Sequence, residues 1–131
     1  MNKLLIARGL AGLVAIFLAY LGLRYTFTPD AMASFAMVDT SSVFGMANVR
    51  AMGAPLLMLA VLTGLGAAKK EFYLLVPAPA YFLAIIFTRI VSLITDGTDS
   101  GTIRALVLAV VLFVITEVAA QLIKRAGKSA I

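Results

Sequence analysis

Apolar residues run almost without interruption over four stretches of this chain: Leu4 to Leu23, Ala47 to Ala68, Phe72 to Thr95 and Ile103 to Ile123. A helix rises about 1.5 Å per residue, so about 20 apolar residues cross about 30 Å of hydrocarbon. Each stretch meets that length. The pattern predicts an all-α integral membrane four-helix bundle, a single domain over residues 1–131, with spans at about 4–23, 47–68, 72–95 and 103–123.

The polar connections predict further detail. Arg24 to Met46 is the one long loop. Within it, Thr28-Pro29-Asp30 reads as a helix start, with a Thr N-cap, Pro at the first helical position and an acid in the first turn. Met32, Phe35 and Ala36 recur at helical spacing, so Pro29–Met37 reads as a short amphipathic helix on the outer membrane surface, between the first two spans. Asp39-Thr40-Ser41-Ser42 ends it and can cap the second span. Asp96 to Gly101 reads as a tight turn, with Ser100 or Thr102 available as the next cap. Pro55 is expected to kink the second span. Pro77 and Pro79 either start the third helix near Val76 or distort its first turns. Small residues at Gly9, Ala11, Gly12 and Ala15, and at Gly64, Ala67 and Ala68, allow close helix contact.

Charge gives the spans an orientation. Lys3, Lys69, Lys70, Lys124 and Lys128, with Arg8 and Arg125, fall at the two chain ends or in the second loop. Asp30, Asp39, Asp96 and Asp99 fall in the first and third loops. The excess of positive charge in cytoplasmic loops then places both termini in the cytoplasm, in a multi-pass protein of a bacterial inner membrane. Ala31-Met32-Ala33 resembles a signal-peptidase site, but the preceding apolar run is longer than a usual signal core and contains Arg8, so it reads as a retained span.

Composition narrows the chemistry. The chain is 63% hydrophobic and only 13% charged, against about 25% charged for soluble domains. It contains no cysteine and no histidine, which removes disulfides, thiolate and imidazole metal ligands, cysteine nucleophiles and histidine bases. The net charge of +5 sits at helix ends, so nucleic acid is not an expected partner. Asp96-Gly97-Thr98-Asp99 lacks the spacing and terminal Glu of a calcium loop. No phosphate-cradling glycine loop and no paired carboxylates within one helix occur. Tyr73, Tyr81, Phe82 and Phe87 read as packing and interface residues. Neither enzyme activity, metal nor cofactor is expected.

What remains is a set of charges inside the spans. Arg89 lies about 9 Å from the outer end of the third span, by helix rise. Arg24, Asn48 and Arg50 approach the same leaflet from the first two spans, and Asp96 follows the third. Two readings stand for Arg89. It can snorkel to the interface or tie helix ends together, with Asp96 or Asp39 as its carboxylate. Alternatively Arg24, Asn48, Arg50, Arg89 and Asp96 form a site for an anionic or polar head group, since arginine forks suit carboxylate and phosphate. Deep in the opposite leaflet, Glu117 is expected to pair with Arg8, stapling the first and fourth spans. Otherwise it marks a proton or substrate path.

Asn48-Val49-Arg50-Ala51-Met52, then Thr88-Arg89-Ile90 with Ser92 and Asp96-Gly97, then Glu117, occur in order on the four spans, after Leu21-Gly22-Leu23 and Phe27-Thr28-Pro29. In this the chain resembles an uncharacterised family of small bacterial four-helix membrane proteins, distantly DoxX-like, over nearly its whole length. It departs from that pattern at Thr88, where members often have Gly, and at Gly53-Ala54-Pro55, where they often have a Gly-Gly pair. The resemblance implies that Arg50, Arg89, Asp96 and Glu117 are the polar signature, and it implies no activity. The small loops point to a non-catalytic accessory or assembly subunit packing against a larger membrane complex. The alternative is a binder or carrier of a small lipophilic molecule with a polar or anionic head group. Partners are then membrane lipids and another membrane protein.

Overall fold

In the computed structural model, which describes residues 2–36, 41–98 and 100–129, the described residues form helices joined by short turns. They are α1 (Asn2–Phe27), α2 (Pro29–Ala36), α3 (Val43–Ala51), α4 (Gly53–Lys69), α5 (Phe72–Leu75), α6 (Pro77–Thr95) and α7 (Ser100–Ser129). By length and apolarity, four segments can cross a membrane: Lys3–Phe27, Val43–Lys69, Phe72–Thr95 and Ser100–Ala126. The four-helix membrane bundle expected from the sequence is the fold.

Proline chemistry explains why two of the spans are each built from two helices. Pro55 has no N–H to offer the Ala51 carbonyl, and the second span breaks three residues earlier, at Met52. The Met52 N–H closes the end of α3 by donating to both Asn48 O (3.1 Å) and Val49 O (3.2 Å). Pro77 and Pro79 likewise withhold donors from the carbonyls of Tyr73 and Leu75. The third span is therefore both started late and distorted early: α5 is one turn, Val76 is a bend, and α6 begins at Pro77. Ser42 caps α3, its Oγ accepting from Gly45 N at 2.9 Å, as the loop sequence suggests. Thr28 does not cap α2. Its hydroxyl turns back to α1, donating to Arg24 O at 2.9 Å. The α2 helix itself folds onto the bundle, with Met32 and Ala33 buried against Tyr25 and Val49. Met37 and Asp39 lie outside the described residues.

Around the bundle, α1 packs most extensively on α4 and then on α7, while α6 packs on α7 and only grazes α4. The α1–α4 contact is close because it lacks side chains where the backbones meet. A Cβ on Gly53 would fall 2.6 Å from Gly22 O and 2.8 Å from Thr26 Oγ1. The stretch Gly9–Ala15 works differently from expectation. Ala7, Ala11 and Ala15 are buried, whereas Gly9 and Gly12 face open space. Their lack of a side chain brings no neighbour closer.

The buried residues form three clusters along the bundle axis. At the Lys69 end, Ala7, Ala11, Ala67, Leu75, Ala119, Ala120 and Ile123 draw on every span. The central cluster does so too, through Leu18, Leu59, Phe82 and Leu112. The third, at the opposite end, draws only on α1, α2 and α3. After Phe82 no residue of α6 is buried, and none of α7 is buried before Ala109. The two arms of the α6–α7 hairpin therefore stand apart from the core at that end.

Candidate functional site

The open end is lined by one stripe of α6. Tyr81, Ile85, Arg89, Ser92 and Asp96 follow one another at intervals of four, four, three and four residues, which keeps them on one helical face. Tyr81 and Ile85 pack against the central cluster, so the stripe starts at the core and runs out toward the turn at Gly97. The Asp96 carboxylate, at the far end, accepts a hydrogen bond from Ser92 Oγ at 3.3 Å. It does not pair with Arg89.

The groups near Arg89 are instead tyrosines. Its guanidinium lies within electrostatic reach of the phenols of Tyr25 and Tyr81, and those two phenols interact with each other. Tyr25 is buried in the third cluster, on α1; Tyr81 is half-buried on α6. The two phenols and the guanidinium, carried on α1 and α6, thus share one end of the bundle within electrostatic reach of one another. Among the described residues, none of these groups donates a hydrogen bond to a protein acceptor, and no carboxylate pairs with Arg89. Hydrogen-bond donors in a low-dielectric setting are costly to leave without acceptors.

The other expected site residues are placed differently. Arg50, on α3, donates from Nη1 to Thr26 O, which brings it to the last turn of α1, next to Tyr25. It satisfies one of the carbonyls that a helix end leaves without an internal partner. Arg24 turns along its own helix: Nε donates to Thr28 Oγ1 and Nη1 to Tyr20 OH, both at 3.0 Å, and the guanidinium stacks over the Tyr20 ring at 5.7 Å. Asn48 is exposed on α3. Arg50 and Arg89 therefore approach the same end of α1, while Arg24 does not join them through any hydrogen bond among the described residues.

Tyr81 reads from the sequence as a packing residue, and Tyr25 is not among the candidate residues. The four-residue spacing from Tyr81 through Ile85 to Arg89 was the available signal. The position of Tyr25, on the first span while Arg89 is on the third, had none.

At the Lys69 end, the expected ion pair is not formed. Arg8 Nε donates to Ala67 O at 3.0 Å. Ala67 lies in the last turn of α4, where carbonyls lack helical donors and the helix dipole is negative. Lys70, at φ 58°, closes that helix in the left-handed conformation, and the N–H groups of Lys70 and Glu71 both return to Gly66 O. Arg8 supplies the donor that this C-cap leaves missing at Ala67. Glu117 accepts instead from its own helix, from Gln121 Nε2 at 2.9 Å. No group of three or more His, Cys, Asp or Glu residues able to hold a metal occurs among the described residues.

With this geometry in place, comparison of the chain with protein-family models, curated proteins and solved structures finds no match.

Proposed function

We propose that the chain is a binder of a membrane amphiphile whose anionic head group docks between Tyr25, Tyr81 and Arg89. One observation carries the reading: two phenols and a guanidinium lie within electrostatic reach of one another at the open end of the bundle, and none of them donates to an acceptor among the described residues. A phosphate or carboxylate supplies acceptors for all of them, and arginine binds either with two parallel hydrogen bonds. The apolar tail would lie along α6 beyond Phe82, where no side chain is buried. Arg50, already committed to Thr26 O, adds positive potential behind the site. In a bacterial inner membrane oriented by its lysines, this end faces away from the cytoplasm. The resemblance to small DoxX-like membrane proteins is compatible with the same reading.

A second reading, the accessory subunit, is favoured by a different feature. Thr88, Arg89, Ile90 and Val91 are all exposed, so a complete turn of α6 has no covering helix on any side. A helix of a partner protein could cover it.

Purification in mild detergent separates the two. Binding predicts a lipid with a phosphate or carboxylate head, stoichiometric with the chain by mass spectrometry, and depleted in Arg89→Gln and in the Tyr25→Phe/Tyr81→Phe double variant. A stoichiometric partner protein with no such lipid would replace the first reading with the second. Single cysteines at Thr98 and at Lys69, labelled with an impermeant thiol reagent in intact cells, test the orientation; labelling at Lys69→Cys alone would reverse it.

A further inference from the structure

A second polar feature stands at the other end of the molecule and is independent of the arginine site. Between α5, α6 and α7 runs an open groove of about 400 Å³, walled by Phe72, Val76, Pro79, Leu83 and Phe113. That volume lies at the lower end of the range for small-molecule sites, about 300–1,000 Å³. The one charged side chain in its wall is Glu117.

Neither Arg8 nor Lys124 forms an ion pair with Glu117. Arg8 is held by Ala67 O. Lys124 rests over the Phe72 ring, 4.9 Å from its centroid. Glu117 receives only the neutral amide of Gln121 among the described residues. A carboxylate in an apolar groove of a membrane span is expensive, and such residues mark ligand or ion paths. Phe113 adds a ring face, which carries negative charge density and attracts cations.

We infer that this groove binds a lipophilic organic cation, with the positive centre against Glu117 and the apolar groups against Phe113, Leu83 and Val76. A bare metal ion is the wrong occupant, since the remaining wall is hydrocarbon and offers it no further ligands. An anionic or neutral amphiphile would leave the carboxylate without a counter-charge. The occupant must bring both a charge and its own apolar surface.

The test is equilibrium binding of radiolabelled tetraphenylphosphonium to the full chain in phosphatidylcholine nanodiscs. Wild type should bind saturably and in stoichiometric amount. Glu117→Gln keeps the side-chain shape and removes the charge, and should weaken binding about tenfold or more. Ala80→Phe fills the groove without touching the carboxylate, and should weaken it comparably. Arg89→Gln, at the opposite end, should bind as wild type, so that failure here and failure of the amphiphile reading are distinguished. Absence of saturable binding to wild type, or unchanged binding in Glu117→Gln, overturns the assignment. Unchanged binding in Ala80→Phe overturns the groove as its location. If Glu117→Gln is not monodisperse in gel filtration, Ala80→Phe alone decides.

Discussion

Arg8 and Arg89 are both arginines placed inside a membrane span, and the fold treats them oppositely. Arg8 stands at the closed end, where all four spans contribute buried residues, and a helix C-terminus offers it a carbonyl at 3.0 Å. Arg89 stands at the open end, where α6 and α7 bury nothing, and it donates to neither of the two phenols within its electrostatic reach. The chemical type is the same, so the difference lies in what the neighbouring backbone has left unsatisfied. Arg8 finds a free carbonyl at the end of α4, whereas at the end of α1 that Arg89 approaches, Arg50 already donates to Thr26 O. An intramembrane arginine is structural when it takes such a carbonyl and becomes available for a ligand when it does not.

The largest effect is expected where α1 and α4 come closest, at the arginine-site end of the bundle. Gly53→Val would drive side-chain atoms into Gly22 O and Thr26 Oγ1 and should destabilise the bundle by about 2–3 kcal/mol, read as a fall in thermal unfolding temperature in detergent. Arg8→Met should come next. Losing a charge-assisted hydrogen bond costs about 1.5–3 kcal/mol. Because Arg8 and Glu117 are not paired, the double variant Arg8→Met/Glu117→Leu should be additive within about 0.5 kcal/mol, and a larger coupling would show that the two side chains interact after all.

Thr63 offers a contrast within the closed side. Its hydroxyl is buried in α4 with no hydrogen-bond partner and no opening beside it. Removing an unsatisfied hydroxyl with a residue of the same shape should help, so Thr63→Val is expected to gain about 1 kcal/mol in the same unfolding assay. The smallest change in stability is expected at Arg89. Arg89→Gln should stay within about 0.5 kcal/mol of wild type, as surface substitutions generally do, while losing the co-purified amphiphile. A large loss of stability there would place Arg89 in the same structural class as Arg8.

The spans, the proline break of the third and the kink of the second were legible because each rests on local chemistry: apolar length, and a missing N–H. The site was legible only in part. Arg89 and Arg50 announce themselves as charges in apolar sequence, and both approach the end of α1. Tyr25 was invisible because its relation to Arg89 depends on how α1 and α6 lie across the bundle, which no residue pattern encodes. The Arg8–Glu117 pairing failed for a related reason. Matching opposite charges by depth ignores the backbone, and the carbonyl of Ala67 was an acceptor that a list of charged residues does not contain. The aspartates at 39 and 99 fall outside the described residues.

The pairing of neighbours also bears on how the chain is made. Its largest contact, α1 with α4, and the contact of α6 with α7 each join spans adjacent in sequence, while the two halves meet mainly through α7 against α1. Each half is thus a hairpin whose partners leave the ribosome one after the other. The first can close before the second exists. A chain divided between Lys70 and Glu71 and expressed as two pieces should therefore reassemble in the membrane, with α7 as the recognition element; failure of the pieces to co-purify would mean that the halves require one continuous synthesis.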